Sequence, residues 1–291
     1  MNNELFKKKH RFSDTLLFIG TYGSTIITLA VVALLILFIC YKGISNISFS
    51  FLTSVPSFIK GTKGIAGNIV NTLYIIILTM LFCIPLGVGS AIYLNEYAKK
   101  GKFVNMIEFA MEILTGIPSI VYGLFGLLFF NELLHMGFSL LSGACTLTLM
   151  VLPLITCNTQ EALKSVPDRY RNGALSLGAG KWYMIRTILL PVAMPVIVTG
   201  ILLSIGRVIG ESAALLFTAG SAKGLPKQMF QWFTKVMQSG GTLSVQLYLS
   251  ATSEADFETS YGIAFILLIF ALLIHFAAKY FQRKVSVENG K

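Results

Sequence analysis

Two ionisable side chains, Arg207 and Glu211, lie four residues apart in a long apolar stretch that runs from 188 to 219. On a continuous helix this spacing places both on one face, where they can form an ion pair. A charged side chain inside a membrane span is costly and usually faces protein or water. Such a pair either locks helix packing or, through the planar donor fork of the guanidinium, lies on the path of an anion. Gly206 and Gly210 precede the pair at the same spacing and would let another backbone approach closely.

Sequence patterns of the common catalytic sites are absent from the chain. It contains no HExxH, no GxSxG and no GxxxxGK[ST], and GALSLGAGKW (173–182) is the nearest approach to the last of these. The three histidines are far apart and have no acidic partner at ligand spacing. We therefore predict no catalytic residue, no metal site and no cofactor. An intramembrane enzyme is disfavoured, and ATP-driven transport would need another subunit to bind the nucleotide.

The composition indicates an all-α, polytopic membrane protein. Hydrophobic residues make up 55% of the chain and charged residues only 12%, whereas soluble domains carry about 25% charged residues. The net charge of +10 does not indicate a nucleic-acid binder, since no polar domain exists to cluster the bases. Six segments are long and apolar enough to cross a lipid bilayer as helices: 16–41, 68–94, 106–130, 138–158, 187–219 and 260–281. The fifth is longer than one crossing requires and is predicted to be tilted, broken or partly outside the membrane.

The distribution of lysine and arginine predicts that both ends are cytoplasmic. Sixteen of the 23 basic residues then fall in cytoplasmic segments and six in outer ones, with Arg207 left inside a span. The basic tail 1–15 resembles the start of a signal peptide, but the apolar core that follows is too long, which favours a retained anchor. The predicted organisation is an extracytoplasmic segment 42–67, a transmembrane domain 68–281 with a cytoplasmic loop 159–186, and a cytoplasmic tail 282–291.

Proline and glycine interrupt two of the predicted spans. Pro85 lies in CIPLGVGSA (83–91), and Gly116, Pro118 and Ser119 lie in TGIPSIVYGLFG (115–126). A proline lacks an N–H and frees a backbone carbonyl, which is tolerated in lipid only where protein or water satisfies it. These positions therefore predict helix breaks that face protein or a cavity. The alternative is that the glycines simply permit close helix packing.

The cytoplasmic loop predicts one short helix near 168–177. Asp168 follows Pro167 and could cap the N-terminus, and Gly178 suits the C-terminus. The alternative is an ordinary basic surface connector.

The same loop resembles the cytoplasmic loop of importer-type ABC permeases, which has the form EAA, three residues, Gly, nine residues, Ile-x-Leu-Pro. Ala174, Gly178 and the sequence ILLP (188–191) match, whereas the triplet 172–174 is Asn-Gly-Ala and lacks the glutamate. The resemblance implies a coupling helix that docks on a separate ATPase subunit. The residues to which it assigns that role are Asp168, Arg169, Arg171, Asn172, Gly173, Ala174 and Gly178.

Four further blocks resemble the permeases of the bacterial phosphate-specific (Pst) importer. They are TLYIIILTMLFCIPLGVGSAIYLNEYA (72–98), GIPSIVYGLFG (116–126), EALKSVPDRYR (161–171) and GRVIGESAALLFTAG (206–220), and FLTSVPS (51–57) and LNEYA (94–98) favour the PstA-type subunit. The resemblance implies a MetI-like permease fold in a prokaryotic plasma membrane. It also implies three kinds of partner: a PstC-type permease, PstB-type ATPase subunits and an extracytoplasmic phosphate-binding protein.

The sequence therefore predicts a permease subunit of an ATP-driven importer of inorganic phosphate, with Arg207 and Glu211 on the translocation pathway. One alternative is an ABC permease for another oxyanion, such as sulfate or molybdate. The other is a membrane scaffold or signalling subunit that transports nothing itself.

Overall fold

The computed structural model describes residues 12–56, 63–99, 101–226 and 229–288, and every regular element in these ranges is helical. In chain order the α-helices are α1 (Phe12–Ile44), α2 (Phe49–Thr53), α3 (Ala66–Ile92), α4 (Lys102–Gly116), α5 (Ser119–Gly126), α6 (Leu140–Lys164), α7 (Asp168–Ser176), α8 (Lys181–Met184), α9 (Leu190–Gly210), α10 (Ala213–Thr218), α11 (Met229–Thr234), α12 (Leu243–Thr252) and α13 (Phe257–Glu288). Three π-helical turns, Tyr93–Tyr97, Leu127–Leu133 and Ile185–Leu189, join or extend them, and Lys235–Met237 forms a 3₁₀ turn. The predicted all-α class is confirmed.

Five helical stretches in the described ranges are long and apolar enough to cross a membrane. They are Leu16–Ile44, Ala66–Tyr97, Leu140–Lys164, Lys181–Gly210 and Phe257–Ala277. A sixth crossing is reached when the bent pair Lys102–Gly116 and Ser119–Leu133 is counted as one span. The six predicted segments each overlap one of these, with edges that differ by several residues.

The third predicted span, 106–130, is a sharply bent pair of helices. α4 and α5 meet at 101°. Ile117 has an extended backbone (φ −71°, ψ 130°), which the following Pro118 favours, and α5 begins at Ser119. α3, by contrast, passes Pro85 without ending. The expected break at Pro85 is therefore not present, and Pro85 is an exposed residue within the continuous helix.

The fifth predicted span, 187–219, is broken near its outer end. α9 stops at Gly210, Glu211 has an extended backbone (ψ 119°), and the separate helix α10 begins at Ala213. Of the three possibilities for this overlong stretch, the structure has the break.

The first and last spans extend beyond their predicted limits. α1 begins at Phe12, and α13 continues through the predicted tail to Glu288. Most of the predicted N-terminal tail, 1–11, and residues 289–291 lie outside the described residues. The first span packs on the last near Gly43, where an added Cβ would lie 2.5 Å from the Phe265 Cβ. Elsewhere α1 carries exposed apolar side chains suited to lipid.

The core lies between α3, α5, α6, α9 and α10. Its central side chains are buried and apolar, among them Ile75, Leu147, Val151 and Leu215. A second apolar cluster at the cytoplasmic end packs α7 and the start of the fifth span against α6, through Leu163, Ala174, Met184, Ile185 and Leu189. The two clusters hold both helix breaks and the short loop helix α7 against one scaffold.

Candidate functional site

Glu211 stands in the gap between α9 and α10, so it does not share a helical face with Arg207. Its carboxylate Oε1 accepts a hydrogen bond from the Ala214 N–H at 3.0 Å, and its carbonyl oxygen accepts one from the Ser244 hydroxyl at 2.7 Å. A carboxylate at a helix N-terminus is favoured by the helix dipole. The predicted ion pair with Arg207 is wrong, because the backbone leaves the helix before Glu211 and turns its side chain to α10.

Arg207 lies in the last turn of α9 and is half-buried. Among the described residues no ion pair or hydrogen bond to its guanidinium is present. The positive charge sits at a helix C-terminus, where the dipole favours it, and near enough to Tyr122 for the two groups to interact electrostatically. Gly206 and Gly210 on either side border open space, since a Cβ at either position would contact nothing within 4 Å. The guanidinium therefore keeps its donors available beside an open face.

The bend at Pro118 and the break at Glu211 meet through α5 and α10. Gly123 of α5 lies so close to α10 that an added Cβ would be 2.8 Å from the Ala214 Cα. The Tyr122 hydroxyl donates to the Leu114 carbonyl at 2.8 Å, across the bend. Gly116 ends α4 and Ser119 begins α5. The two interruptions thus form one packed unit close to Arg207.

A second candidate site is α7 in the cytoplasmic loop. Pro167 occupies its N-cap without a side-chain hydrogen bond, so the prediction that Asp168 caps the helix is wrong. Asp168 is instead the first helical residue. At the other end Gly178 has φ +78°, and the Gly178 and Ala179 N–H groups donate to the carbonyls of Leu175 and Ala174. This is a Schellman motif, and its left-handed position explains the glycine.

Arg171 anchors α7 to the ends of two spans. Its Nη2 donates to Glu96 Oε1 at 3.0 Å and to the Leu163 carbonyl at 2.7 Å, and its Nη1 donates to the Val166 carbonyl at 2.8 Å. The exposed fraction is 17% for the Arg171 side chain and 6% for that of Glu96. Nη1 also reaches Asp168 Oδ1 at 3.2 Å. Arg171 therefore faces inward and positions α7 from its inner side.

The outward face of α7 and the residues after it are exposed. Arg169, Asn172 and Gly173 point to solvent, whereas Ala174 packs into the cytoplasmic cluster. Leu177, at the end of the helix, is 89% exposed. The exposed side of α7 therefore ends in an apolar side chain that the described residues leave uncovered.

Relatives of this chain are identified by comparison with known proteins. A family model described as "Binding-protein-dependent transport system inner membrane component" matches residues 83–287. The chain belongs to this family. The permease is thus a multi-pass protein of the bacterial cell membrane, and the ATPase is a separate subunit. Membership also implies a partner permease and a binding protein.

Two relatives match over most of the permease. The "Probable ABC transporter permease protein YqgI" of Bacillus subtilis (strain 168) is 42% identical over 202 residues, which cover 69% of each chain. The "Phosphate transport system permease protein PstA" of Xylella fastidiosa (strain 9a5c) is 31% identical over 256 residues, which cover 85% of each chain.

A solved structure has the same fold. One chain of the MetNI methionine ABC transporter, in an inward-facing conformation, aligns with 76% of the permease and 94% of its own length, with a TM-score of 0.59 and 18% identity. The predicted MetI-like fold is confirmed.

Sequence reasoning missed Glu96, Tyr122 and Ser244. Glu96 and Arg171 are 75 residues apart, and Ser244 and Glu211 are 33 residues apart. For Glu96 the available signal was its place in LNEYA (94–98), an acid at the end of a span that is followed by Lys99, Lys100 and Lys102.

Proposed function

We propose that the permease is the PstA-type subunit of an ATP-driven importer of inorganic phosphate. The main support for phosphate as the substrate is the similarity to a phosphate transport permease over 85% of both chains. A half-buried arginine without an ion pair, beside an open face, supports an anionic substrate because a guanidinium matches phosphate oxygens with several donors.

Arg207 is the residue proposed to meet the anion on its path. Glu211 is also proposed to belong to the pathway, although it does not pair with Arg207 as its spacing predicted. It holds α10 in place and thereby shapes the wall next to Arg207. No acid in the part of the chain that the structure describes is paired with the guanidinium, so the passing anion would balance its charge, and a single charged contact is weak enough to release.

The outward face of α7 is proposed to dock on the ATPase subunit. Arg169, Asn172 and Gly173 supply exposed polar and backbone groups, and Leu177 supplies apolar surface. Arg171, Ala174 and Gly178 set the position of the helix from its inner side and its end. The proposed partners are PstB-type ATPase subunits, a PstC-type permease and an extracytoplasmic phosphate-binding protein.

Uptake by the reconstituted importer tests the substrate. The permease, its partner permease, the ATPase and the binding protein are placed in liposomes, and accumulation of labelled phosphate, sulfate and molybdate is measured with and without ATP. We expect ATP-dependent uptake of phosphate only. Uptake of sulfate or molybdate in its place would assign another oxyanion, and no uptake by a complex that hydrolyses ATP would favour a scaffold or signalling role.

Leu177→Asp should weaken binding of the ATPase subunit by about tenfold to a hundredfold, because burial of a leucine contributes roughly 1.5–3 kcal/mol. The measurement is retention of the ATPase on the immobilised permease. Leu177→Met keeps the apolar surface and should retain the ATPase. Equal retention by the Asp and Met variants would contradict docking at this residue.

A further inference from the structure

A pocket lies under the outer segment that joins α10 to α12. Its volume is about 340 Å³, and Gly224, Gln231, Lys235, Gln238 and Ser239 contribute to its lining. With both ends of the chain cytoplasmic, this segment lies on the extracytoplasmic side. None of the predicted site residues belongs to it.

Lys235 is the unusual residue in this lining. It is only 4% exposed. Among the described residues its ammonium has one acceptor, the Ser239 carbonyl oxygen at 3.3 Å, and no carboxylate is paired with it. Burial lowers the pKa of Lys235 below its usual value, because desolvation penalises the charged form. A buried ammonium with three donors and one long hydrogen bond lacks compensation for its charge.

The walls of the pocket are held by hydrogen bonds to the membrane-spanning scaffold. The Tyr74 hydroxyl of α3 donates to the Trp232 carbonyl at 2.9 Å. The Leu140 N–H, at the start of α6, donates to the Gln238 carbonyl at 3.0 Å. Asn71 of α3 donates through Nδ2 to the carbonyl of Ala222 at 3.2 Å. Three positions around the pocket are therefore tied to membrane-spanning helices.

The side chains that line the pocket favour an anion over a cation. The described residues that line the pocket include one ammonium and two side-chain amides, and no acidic side chain. A cation would be repelled by Lys235, whereas an oxyanion would supply the missing acceptors for its N–H groups. The exposed amide of Gln238 is suited to donate to a further oxygen of the same ion.

We infer that this outer pocket binds free inorganic phosphate, with Lys235 as its charged ligand, before the ion reaches Arg207. The inference rests on the proposed function for the choice of phosphate among oxyanions. One ammonium with neutral amides gives a weak site, and a weak site suits an entry point from which the ion must leave again.

Chemical labelling of the wild-type importer complex tests the pocket directly. The complex is kept in maltoside micelles free of phospholipid, and modification of each lysine by an amine-acylating reagent is followed by mass spectrometry in phosphate or chloride at equal ionic strength. Lys235 should be modified about tenfold more slowly when phosphate is at ten times its dissociation constant. Lys63, whose side chain is 60% exposed and paired with Asp256, is the control and should be modified equally in both salts. Equal modification of Lys235 in both salts would overturn the inference.

Further measurements distinguish the free ion from a lipid headgroup. They also distinguish failure of the pocket from failure of the proposed function. Protection of Lys235 by added phospholipid alone would assign the pocket to a lipid headgroup and overturn binding of the free ion. Phosphate uptake by the complex without protection of Lys235 would leave the proposed function intact and overturn the pocket. Protection in a complex that does not import phosphate would support the pocket and contradict the proposed function.

Substitution links the pocket to transport. Lys235→Gln should lower phosphate uptake by about tenfold, the equivalent of one charged hydrogen bond, while Lys235→Arg and the control Lys63→Gln keep most of it. ATPase retention is measured on each variant to show that the complex is assembled. Unchanged uptake in assembled Lys235→Gln would contradict the role.

Discussion

Replacement of Arg171 by methionine is expected to detach α7 from the spans and to abolish ATP-driven uptake. The substitution removes the hydrogen bonds to Glu96 and to the Leu163 and Val166 carbonyls and leaves the Glu96 carboxylate without its cationic partner, with the Asn95 amide still donating to it. Loss of one member of a buried ion pair costs about 3–5 kcal/mol. Hydrogen exchange should become fast in residues 165–180, and labelled phosphate should no longer accumulate in liposomes that contain the variant complex.

Two controls separate anchoring from charge. Arg169→Met removes an exposed arginine from the same helix, whose guanidinium lies over the Tyr170 ring, and should leave hydrogen exchange in α7 nearly unchanged. The double variant Glu96→Gln with Arg171→Met removes both charges and should recover part of the lost protection, since no carboxylate is then buried alone. An Arg171→Met protein with slow exchange at α7 would show that the network does not hold the helix.

The second large effect is expected at Arg207. Arg207→Gln should lower phosphate uptake by at least about tenfold and up to a hundredfold, because hydrogen bonds to charged groups contribute roughly 1.5–3 kcal/mol each. The ATPase should remain bound, since among the described residues Arg207 has no ion pair or hydrogen bond that holds the fold together. Uptake and ATPase retention are measured on the same preparation.

The matched control for this variant is Arg186→Gln, which removes an exposed arginine near the cytoplasmic end of the same span and should transport normally. Normal uptake by Arg207→Gln would remove the arginine from the anion path. Loss of ATPase binding in that variant would support a packing role instead. Glu211→Gln weakens the hydrogen bond from the Ala214 N–H and tests separately whether the position of α10 matters for uptake.

The sequence predicted what depends on local pattern. Hydropathy over about 20 residues located the spans. Gly178 predicted the end of α7, because glycine readily adopts the left-handed conformation in which helices commonly end. A break in the fifth span was one of the possibilities that its length predicted. The four-residue spacing of Arg207 and Glu211 nevertheless suggested that the helix continues through both residues. A tertiary contact holds the backbone at this break, since the Ser244 hydroxyl, 33 residues away in sequence, donates a hydrogen bond to the Glu211 carbonyl. No local pattern carries that contact.

The inward position of Arg171 could not be predicted from the sequence for a similar reason. In sequence it is one of several basic residues in a cytoplasmic loop, and the positive-inside rule accounts for all of them equally. Only the fold brings the end of α3 next to α7 and distinguishes the half-buried Arg171 from the exposed Arg169 two residues earlier. Lys235 was likewise one basic residue among several in an outer segment until its burial was known.

α3 and its π-helical turn form one continuous helix, which is tied at one end to the short helix α7 and at the other to the outer segment after α10. At its cytoplasmic end Glu96 binds Arg171 of α7, and near its outer end Asn71 binds the Ala222 carbonyl in the wall of the Lys235 pocket. The rise of 1.5 Å per residue puts these two attachment points about 38 Å apart. A tilt imposed on α7 from the cytoplasm, with the Arg171–Glu96 link intact, must carry α3 with it and so displace one wall of the outer pocket. We therefore expect these two hydrogen-bonded attachments to couple movement of α7 to the outer pocket through α3.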